Sequence, residues 1–236
     1  MLRNFLFNIF FYFGIILVFL LAIPALILPN KIILFLGKLL GHWSVFCVKF
    51  LLGNKINIVG KENIIKDEIF FVACSHQSIF ETFFLQTIIN SPIFILKKEL
   101  LKIPVFGWHL KKINSIAIDR NITTKENLGF LEKILHTVNE TKRPLIIFPQ
   151  GTRIPPDERV PFKKGVGRIY EHLKIKCIPI ALNSGNVWPK KGPKKTNGQI
   201  TISILKPIMP NMEKNLFIKE VENLIYSEIK KINNLK

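Results

Sequence analysis

The sequence predicts an α/β domain preceded by apolar helices that anchor it in a membrane. After Gly53, short apolar runs alternate with helical patterns, which is typical of α/β proteins. Before Gly53 the chain is far more apolar, and residues 5–28 carry no formal charge. We therefore divide the chain into membrane-anchoring helices over residues 1–53 and an α/β domain over residues 54–236.

The first apolar segment is long enough to span a bilayer core as a helix, and Pro24 predicts a kink or a terminus near its end. A signal peptide is the competing interpretation, because Arg3 supplies a positive start, but the apolar run is too long and no small-residue cleavage site follows it. Residues 32–52 are again apolar but carry Lys38 and Lys49. They predict either an interfacial or re-entrant helix, or a helix packed on the soluble core.

The charge balance predicts an anionic partner. The chain has 34 Lys and Arg against 16 Asp and Glu, a net charge of +18, and either a phospholipid leaflet or nucleic acid would fit it. The absence of an aromatic and basic stacking motif or a recognition helix favours the leaflet. Basic residues follow the first apolar helix, which predicts that the α/β domain faces the cytoplasm at the inner cell membrane. Three widely spaced cysteines suggest neither a disulfide framework nor a zinc site.

Six strands and two long helices are predicted after the anchor. The predicted strands cover residues 69–75, 93–96, 115–118, 145–148, 177–182 and 200–205, and the helices cover residues 124–141 and 217–233. Polar residues cluster where the strands end, which is where α/β proteins usually place ligand sites.

The first polar cluster is the stretch ACSHQSIFET, residues 73–82. On one continuous helix His76 and Glu81 would point about 140° apart. They can meet if His76 lies in the loop that leaves the strand and Glu81 lies in the first helical turn. Glu81 would then hold one imidazole nitrogen and leave the other to accept a hydroxyl proton. Alternatively, Ser78 caps the helix and Glu81 reaches back to it as a capping box.

The second polar cluster is the end of PLIIFPQGTR, residues 144–153. Gly151 lets the backbone approach a ligand, Thr152 offers a hydroxyl and Arg153 offers a fork suited to phosphate. More positive charge follows in FKKGVGR, which includes Lys163. An ordinary strand-terminal turn with a solvated arginine is the alternative. Two further strands end in polar residues: INSIAIDR ends in Arg120, and CIPIALNSGNVWP runs into a polar turn.

The order of these four motifs resembles the glycerolipid acyltransferase family, and most closely its bacterial 1-acylglycerol-3-phosphate acyltransferases. The resemblance implies a mixed sheet flanked by helices. It implies that His76 is the general base and that Glu81 fills the position of its acidic partner, where most members have aspartate. It also implies that the acceptor phosphate binds to Arg120 and to the Gly151, Thr152 and Arg153 loop.

The implied reaction transfers a fatty acyl chain from acyl-CoA or acyl-carrier protein to the sn-2 hydroxyl of lysophosphatidic acid, forming phosphatidic acid in a membrane without a cofactor or a metal. This sequence departs from the family at Gln150, where glutamate is usual, and an amide cannot act as a carboxylate. We take Gln150 and Lys163 as candidates for further substrate contacts. Two alternatives stay open: another lysophospholipid or lyso-aminolipid as acceptor, and a basic lipid-binding membrane protein without catalysis.

Overall fold

The computed structural model of the protein describes residues 2–118 and 126–234, and in them a mixed β-sheet lies between two layers of helices. The strands are β1 (Lys55–Val59), β2 (Phe70–Cys74), β3 (Ile93–Lys97), β4 (Ile116–Ile118), β5 (Leu145–Ile147), β6 (Lys176–Leu182) and β7 (Gln199–Ile204). The α-helices are α1 (Leu2–Ala22), α2 (Asn30–Phe46), α3 (Phe80–Ile88), α4 (Phe106–Lys112), α5 (Glu126–Thr141), α6 (Gly165–Leu173) and α7 (Lys214–Asn234).

The strand order in the sheet is β1-β7-β6-β2-β5-β3-β4, and neighbours are parallel except for β6 and β7. The prediction of an α/β fold with a mixed sheet is therefore confirmed. All six predicted strands are present, with ends within one residue of the prediction. The sequence analysis missed β1, because this half-exposed edge strand alternates Ile56 and Ile58 with the exposed residues Lys55, Asn57 and Val59 and has no long apolar run.

Strand β2 shows how the sheet joins the two helical layers. Its residues are all buried, and successive side chains point to opposite faces. Phe70, Val72 and Cys74 join the apolar cluster that contains residues of α1 and α3. Phe71 and Ala73 join the cluster that contains residues of α5, α6 and α7. Because it is buried on both faces, β2 reads in the sequence as one continuous apolar run.

The first two helices are long and apolar enough to cross a membrane, judged by length and composition; they are Leu2–Ala22 and Asn30–Leu51, the latter including a π-helical turn after α2. Helix α1 ends before Pro24, so this proline marks a terminus. Large apolar side chains remain exposed on both helices, among them Phe13, Ile16, Phe35 and Phe50. This exposed face suits an anchor in a lipid leaflet.

The opposite face of this helical pair packs on the α/β domain. In α1, the Phe7 and Phe11 rings both lie 4.9 Å from the Trp188 ring. In α2, Gly41 lets the helix approach α3 closely, since a Cβ there would lie 2.6 Å from the Phe83 carbonyl oxygen. Within residues 32–52 one face thus packs on the core and one apolar face is exposed, and the interfacial or re-entrant placement stays a prediction.

Helix α4 fixes the turn between α1 and α2. The Lys112 ammonium donates hydrogen bonds to the carbonyl oxygens of Ala25, Leu26 and Leu28. One ring nitrogen of His109 lies 2.6 Å from the Ala22 carbonyl oxygen, at the end of α1. Carbonyl groups at a helix end have no intrahelical partner. Side chains of the α/β domain therefore satisfy them and attach the turn to the domain.

Three neighbouring central strands position the candidate site. Strands β5, β2 and β6 lie side by side and run parallel, so their carboxyl ends meet at one edge of the sheet. The segments that follow these strands carry His76, Gln150 and Ser184. Residues that are far apart in sequence thus share one edge of the sheet.

Candidate active site

His76 lies in the loop between β2 and α3, and Glu81 lies in the first turn of α3. The His76 Nδ1 and Glu81 Oε1 atoms are 2.9 Å apart. Because a carboxylate only accepts hydrogen bonds, Nδ1 carries the proton in this pair. Nε2 has no hydrogen-bond partner among the described residues. The imidazole is therefore arranged to accept a proton at Nε2.

Glu81 is fully buried and its carboxylate is fully bonded. Oε1 also accepts the backbone N–H groups of Gln77 at 2.6 Å and Ser78 at 2.7 Å. Oε2 accepts the hydroxyl of Ser184 at 2.7 Å. A buried charge is costly unless hydrogen bonds compensate it. These four bonds both compensate the charge and hold the carboxylate in one orientation.

The capping-box alternative is realised in part at the same position. Glu81 reaches back to the Ser78 N–H, as the second half of a capping box requires. The Ser78 hydroxyl, however, accepts the N–H of Phe80 at 3.1 Å. One carboxylate oxygen thus serves both the start of α3 and the imidazole of His76, so the two interpretations do not exclude each other.

The His76 ring and backbone are both fixed by the loop that follows β5. The ring stacks on Phe148, with centroids 4.1 Å apart and planes 21° apart, and 17% of the side chain is exposed. The His76 N–H donates to Gln150 Oε1 at 3.2 Å. The His76 carbonyl accepts the Ile154 N–H at 2.8 Å. The partly exposed edge of the ring is the part that a substrate can reach.

The loop of Gly151, Thr152 and Arg153, called the basic loop below, continues from this contact, because the Ile154 N–H that bonds His76 follows Arg153 directly. Gly151 has a φ of +72°, a left-handed conformation that favours glycine. Among the described residues, the half-buried Arg153 guanidinium has no hydrogen-bond or ion-pair partner. The basic loop thus places Arg153 next to Ile154, the residue whose N–H bonds the His76 carbonyl.

Two lysines add charge around the basic loop. The Lys190 ammonium lies 3.4 Å from the Thr152 hydroxyl. The Lys163 side chain is exposed and passes Gly151, with its Cγ 3.6 Å from where a Cβ would lie. The sequence analysis named Lys163 but did not single out Lys190 as part of this site. Phosphate is a chemically suitable ligand for such a group of cations.

The structure brings together most, but not all, of the predicted site residues. His76 and Glu81 are brought together, and Gly151, Thr152 and Arg153 lie next to them. Arg120 lies outside the described residues. The Gln150 side chain is 3% exposed and bonds the His76 backbone, so in this structure it contacts the histidine loop.

Ser184 is a site residue that the sequence analysis missed. It lies in the polar turn after β6, and Gly185 of the same turn packs between Gln77 and Pro156. The signal was present as the polar end of an apolar strand. Its partner Glu81, however, is separated from it by 103 positions, and only the adjacency of β2 and β6 brings the two together.

Among the described residues, Cys74 lies near Glu81 but is not suited to act as a nucleophile. Burial, together with the nearby charge of Glu81, raises the pKa of Cys74 well above its ordinary value. A thiol with a raised pKa is mostly protonated and is a poor nucleophile. Within residues 2–118 and 126–234, no group of three or more His, Cys, Asp or Glu side chains could hold a metal ion.

Comparison with known proteins places this site in a family. The family model described as Acyltransferase matches residues 55–183, which include both clusters. A 1-acyl-sn-glycerol-3-phosphate acyltransferase of Pseudomonas aeruginosa is 34% identical over 69% of this chain and 63% of the relative. One from Saccharomyces cerevisiae is 31% identical over 78% of this chain and 63% of the relative. The matched region thus spans less than two thirds of either relative.

A solved structure shares the fold over almost the whole chain. The crystal structure of the 1-acyl-sn-glycerophosphate (LPA) acyltransferase from Thermotoga maritima superposes with a TM-score of 0.78. The match covers 98% of this chain and 97% of that chain, at 23% sequence identity. With the family model matching more than half of its length, the chain belongs to the acyltransferase family.

Proposed function

We propose that the protein transfers a fatty acyl chain from a thioester to the sn-2 hydroxyl of 1-acylglycerol-3-phosphate, forming phosphatidic acid. The observation that carries this proposal is the His76 and Glu81 pair beside a basic loop whose Arg153 is unpaired among the described residues. The names of the relatives from Pseudomonas aeruginosa and Saccharomyces cerevisiae support the same acceptor. Both acyl-CoA and acyl-carrier protein fit as donors.

In the proposed mechanism, His76 Nε2 removes the proton of the sn-2 hydroxyl as that oxygen attacks the thioester carbonyl carbon. The new C–O bond forms, the C–S bond breaks, and the leaving thiolate takes the proton from the imidazolium. Glu81 holds Nδ1–H throughout, so the ring keeps its tautomer and its orientation. The substrate supplies the nucleophile, so no acyl-enzyme is formed.

The basic loop is proposed to bind the phosphate of the acceptor. Arg153 offers two parallel donors, and Thr152 and Lys190 offer further donors on one side of it. The resemblance to the family adds Arg120 as a second arginine. A phosphate held there would place the glycerol close to the His76 loop, since Ile154 N–H bonds the His76 carbonyl. The phosphate contacts thus orient the hydroxyl toward the base.

The exposed apolar faces of α1 and α2 are proposed to lie in the inner cell membrane, with the site facing the cytoplasm. Lysines in the segment of residues 188–195 lie beside α1, and Lys194 bonds Asn4 and Asn8 there. Such lysines are attracted to an anionic leaflet. The acceptor and the product, which are both membrane lipids, would then exchange with that leaflet.

Acyl transfer with purified protein tests the proposal. Labelled acyl-CoA and acyl-carrier protein are each supplied with lysophosphatidic acid in liposomes, for wild type and for His76→Ala. We expect labelled phosphatidic acid from the wild type and its loss in the folded variant. Transfer only to a different lysophospholipid would replace the acceptor, and binding to liposomes without transfer to any lysolipid would favour a lipid-binding protein.

A further inference from the structure

A chain of polar contacts connects the C-terminal helix α7 to the backbone of His76. Tyr226 of α7 bonds the backbone of Val160, and Ile154, in the same segment of residues 154–163, donates its N–H to the His76 carbonyl. Helix α7 lies outside residues 55–183, the part of the chain that the family model matches. The contacts are therefore not accounted for by that match.

Gln150 provides a second contact to the His76 backbone. Its side chain is almost completely buried, and its amide oxygen accepts the His76 N–H at 3.2 Å. The N–H of His76 would otherwise lack this partner, and buried polar groups without partners are costly. The amide of Gln150 thus fixes the backbone of the residue whose ring accepts the proton.

Tyr226 is the residue of α7 from which these contacts begin. Its hydroxyl accepts the Val160 N–H at 3.1 Å and donates to the Val160 carbonyl at 2.8 Å. Burial raises the pKa of the Tyr226 phenol, whereas its hydrogen bond with the Val160 backbone acts in the opposite direction. Tyr226 thus fixes the Val160 backbone in the middle of the segment of residues 154–163.

Glu222, one turn before Tyr226 on α7, also holds the segment of residues 154–163. Glu222 accepts the Phe162 N–H at 2.8 Å and the Arg159 guanidinium at 3.0 Å. The segment from residue 154 to residue 163 is thus held by α7 on one side. On its other side, Ile154 N–H bonds the His76 carbonyl and Lys163 N–H bonds the Pro149 carbonyl.

We propose that Tyr226 and Gln150 are positioning residues that hold the His76 loop in its reactive arrangement. Tyr226 acts from the C-terminal helix through the segment of residues 154–163, and Gln150 acts through its direct bond to the His76 N–H. The proposal rests on the proposed function for the role of His76, but not for the contacts themselves. Neither side chain needs to touch the substrate. Loss of these contacts lets the His76 backbone move. This movement lowers the rate of the chemical step more than it weakens the binding of substrates.

Tyr226→Phe tests this proposal, with Tyr170→Phe as its matched control. Tyr170 is buried in α6, and its hydroxyl also bonds two backbone groups, the Met209 carbonyl and the Met212 N–H. Both variants lose one hydroxyl and two hydrogen bonds. We expect Tyr226→Phe alone to lower kcat, by about 3- to 30-fold, while KM for the acceptor stays within about twofold.

A second readout does not depend on activity. Hydrogen exchange of the backbone amides in residues 75–79 is compared in the full-length wild type and in both variants. We expect faster exchange at the His76 amide in Tyr226→Phe and no change in Tyr170→Phe. If wild type transfers no acyl group to any lysolipid, the proposed function fails. The exchange measurement still decides whether Tyr226 restrains the His76 backbone.

Substitutions of Gln150 complete the test. Gln150→Glu keeps an oxygen that accepts the His76 N–H, so we expect it to retain kcat within about threefold of wild type. Gln150→Leu removes the acceptor, so we expect a loss of kcat at least as large as that of Tyr226→Phe. Equal kcat and equal exchange at His76 in Tyr226→Phe and Tyr170→Phe, or full activity of Gln150→Leu, would overturn the proposal.

Discussion

Glu81 and Arg153 lie at neighbouring strand ends, but their surroundings differ sharply. Glu81 is fully buried and accepts hydrogen bonds from His76, Gln77, Ser78 and Ser184. Arg153 is half-buried and lacks a partner within the described part of the chain. The His76 and Glu81 pair is thus complete in the protein alone, whereas in the proposed function an anion completes the basic loop. Changes in the pair should affect kcat and folding, and changes in the loop should affect binding.

The largest effect, a loss of kcat, is expected for His76→Ala, which removes the proposed base. A general base contributes about 10²- to 10⁴-fold to a rate, so kcat should fall by that factor. His172→Ala is the control, since it removes an exposed histidine of α6. Steady-state acyl transfer and thermal unfolding should show an inactive but folded His76→Ala and an unchanged control. Activity of His76→Ala close to wild type would contradict the role of His76 as the general base.

Substitutions of Glu81 distinguish its role in orienting the imidazole from the effect of its negative charge. In Glu81→Gln the amide oxygen can still accept the donors of residues 76–78, and the NH₂ group can donate to the Ser184 hydroxyl. Loss of the charge-assisted bond should lower kcat about 10- to 100-fold with little change in the unfolding temperature.

Glu81→Ala should be worse than Glu81→Gln in both activity and folding. It leaves the buried N–H groups of Gln77 and Ser78 without their acceptor, and each such group costs about 1–3 kcal/mol. Chemical denaturation measures the difference between the two variants. Equal stability of both would contradict the view that Glu81 also holds the start of α3.

Arg153→Ala tests the other half of the comparison. Loss of a charge-assisted contact should lower kcat/KM for a phosphorylated acceptor about 10- to 100-fold, mainly through KM. Arg153→Lys should recover part of this loss, because an ammonium keeps the charge without the fork. Lys230→Ala, which removes an exposed cation of α7, controls for net charge. An effect confined to kcat would argue against a binding role.

The smallest effect is expected when the cysteines of the folded protein are exposed to an alkylating reagent. Burial raises the pKa values of Cys74 and Cys177, so at pH 8 less thiolate is present than in an exposed cysteine. Both should stay unmodified by iodoacetamide in the folded protein, as read by mass spectrometry, and should react after unfolding in urea. Rapid modification of Cys74 in the native state would show that β2 is accessible next to the catalytic pair.

The sequence was sufficient for the central strands because burial on both faces leaves a continuous apolar run, as in β2. Strand β1 has no such run, since one of its neighbours is solvent. The contact of His76 with Glu81 was also predictable, because it is local and depends only on where the strand ends and α3 begins. Ser184 was not predictable as their partner, because that contact depends on the order of strands in the sheet.

Gln150 illustrates a second limit of sequence analysis. Its position beside a basic loop predicts a substrate contact, which stays a prediction. The structure adds that the Gln150 side chain turns inward and bonds the His76 backbone. Side-chain direction in an irregular loop has no periodicity from which it could be predicted.

The most direct test of the comparison is the preference for a phosphorylated acceptor. We would measure kcat/KM for lysophosphatidic acid and for the matching monoacylglycerol, in wild type, His76→Ala and Arg153→Ala. The account predicts that His76→Ala lowers both values by a similar factor and keeps their ratio. Arg153→Ala should lower the value for lysophosphatidic acid alone and bring the ratio toward one. An unchanged ratio in Arg153→Ala would contradict the assignment of the phosphate to the basic loop.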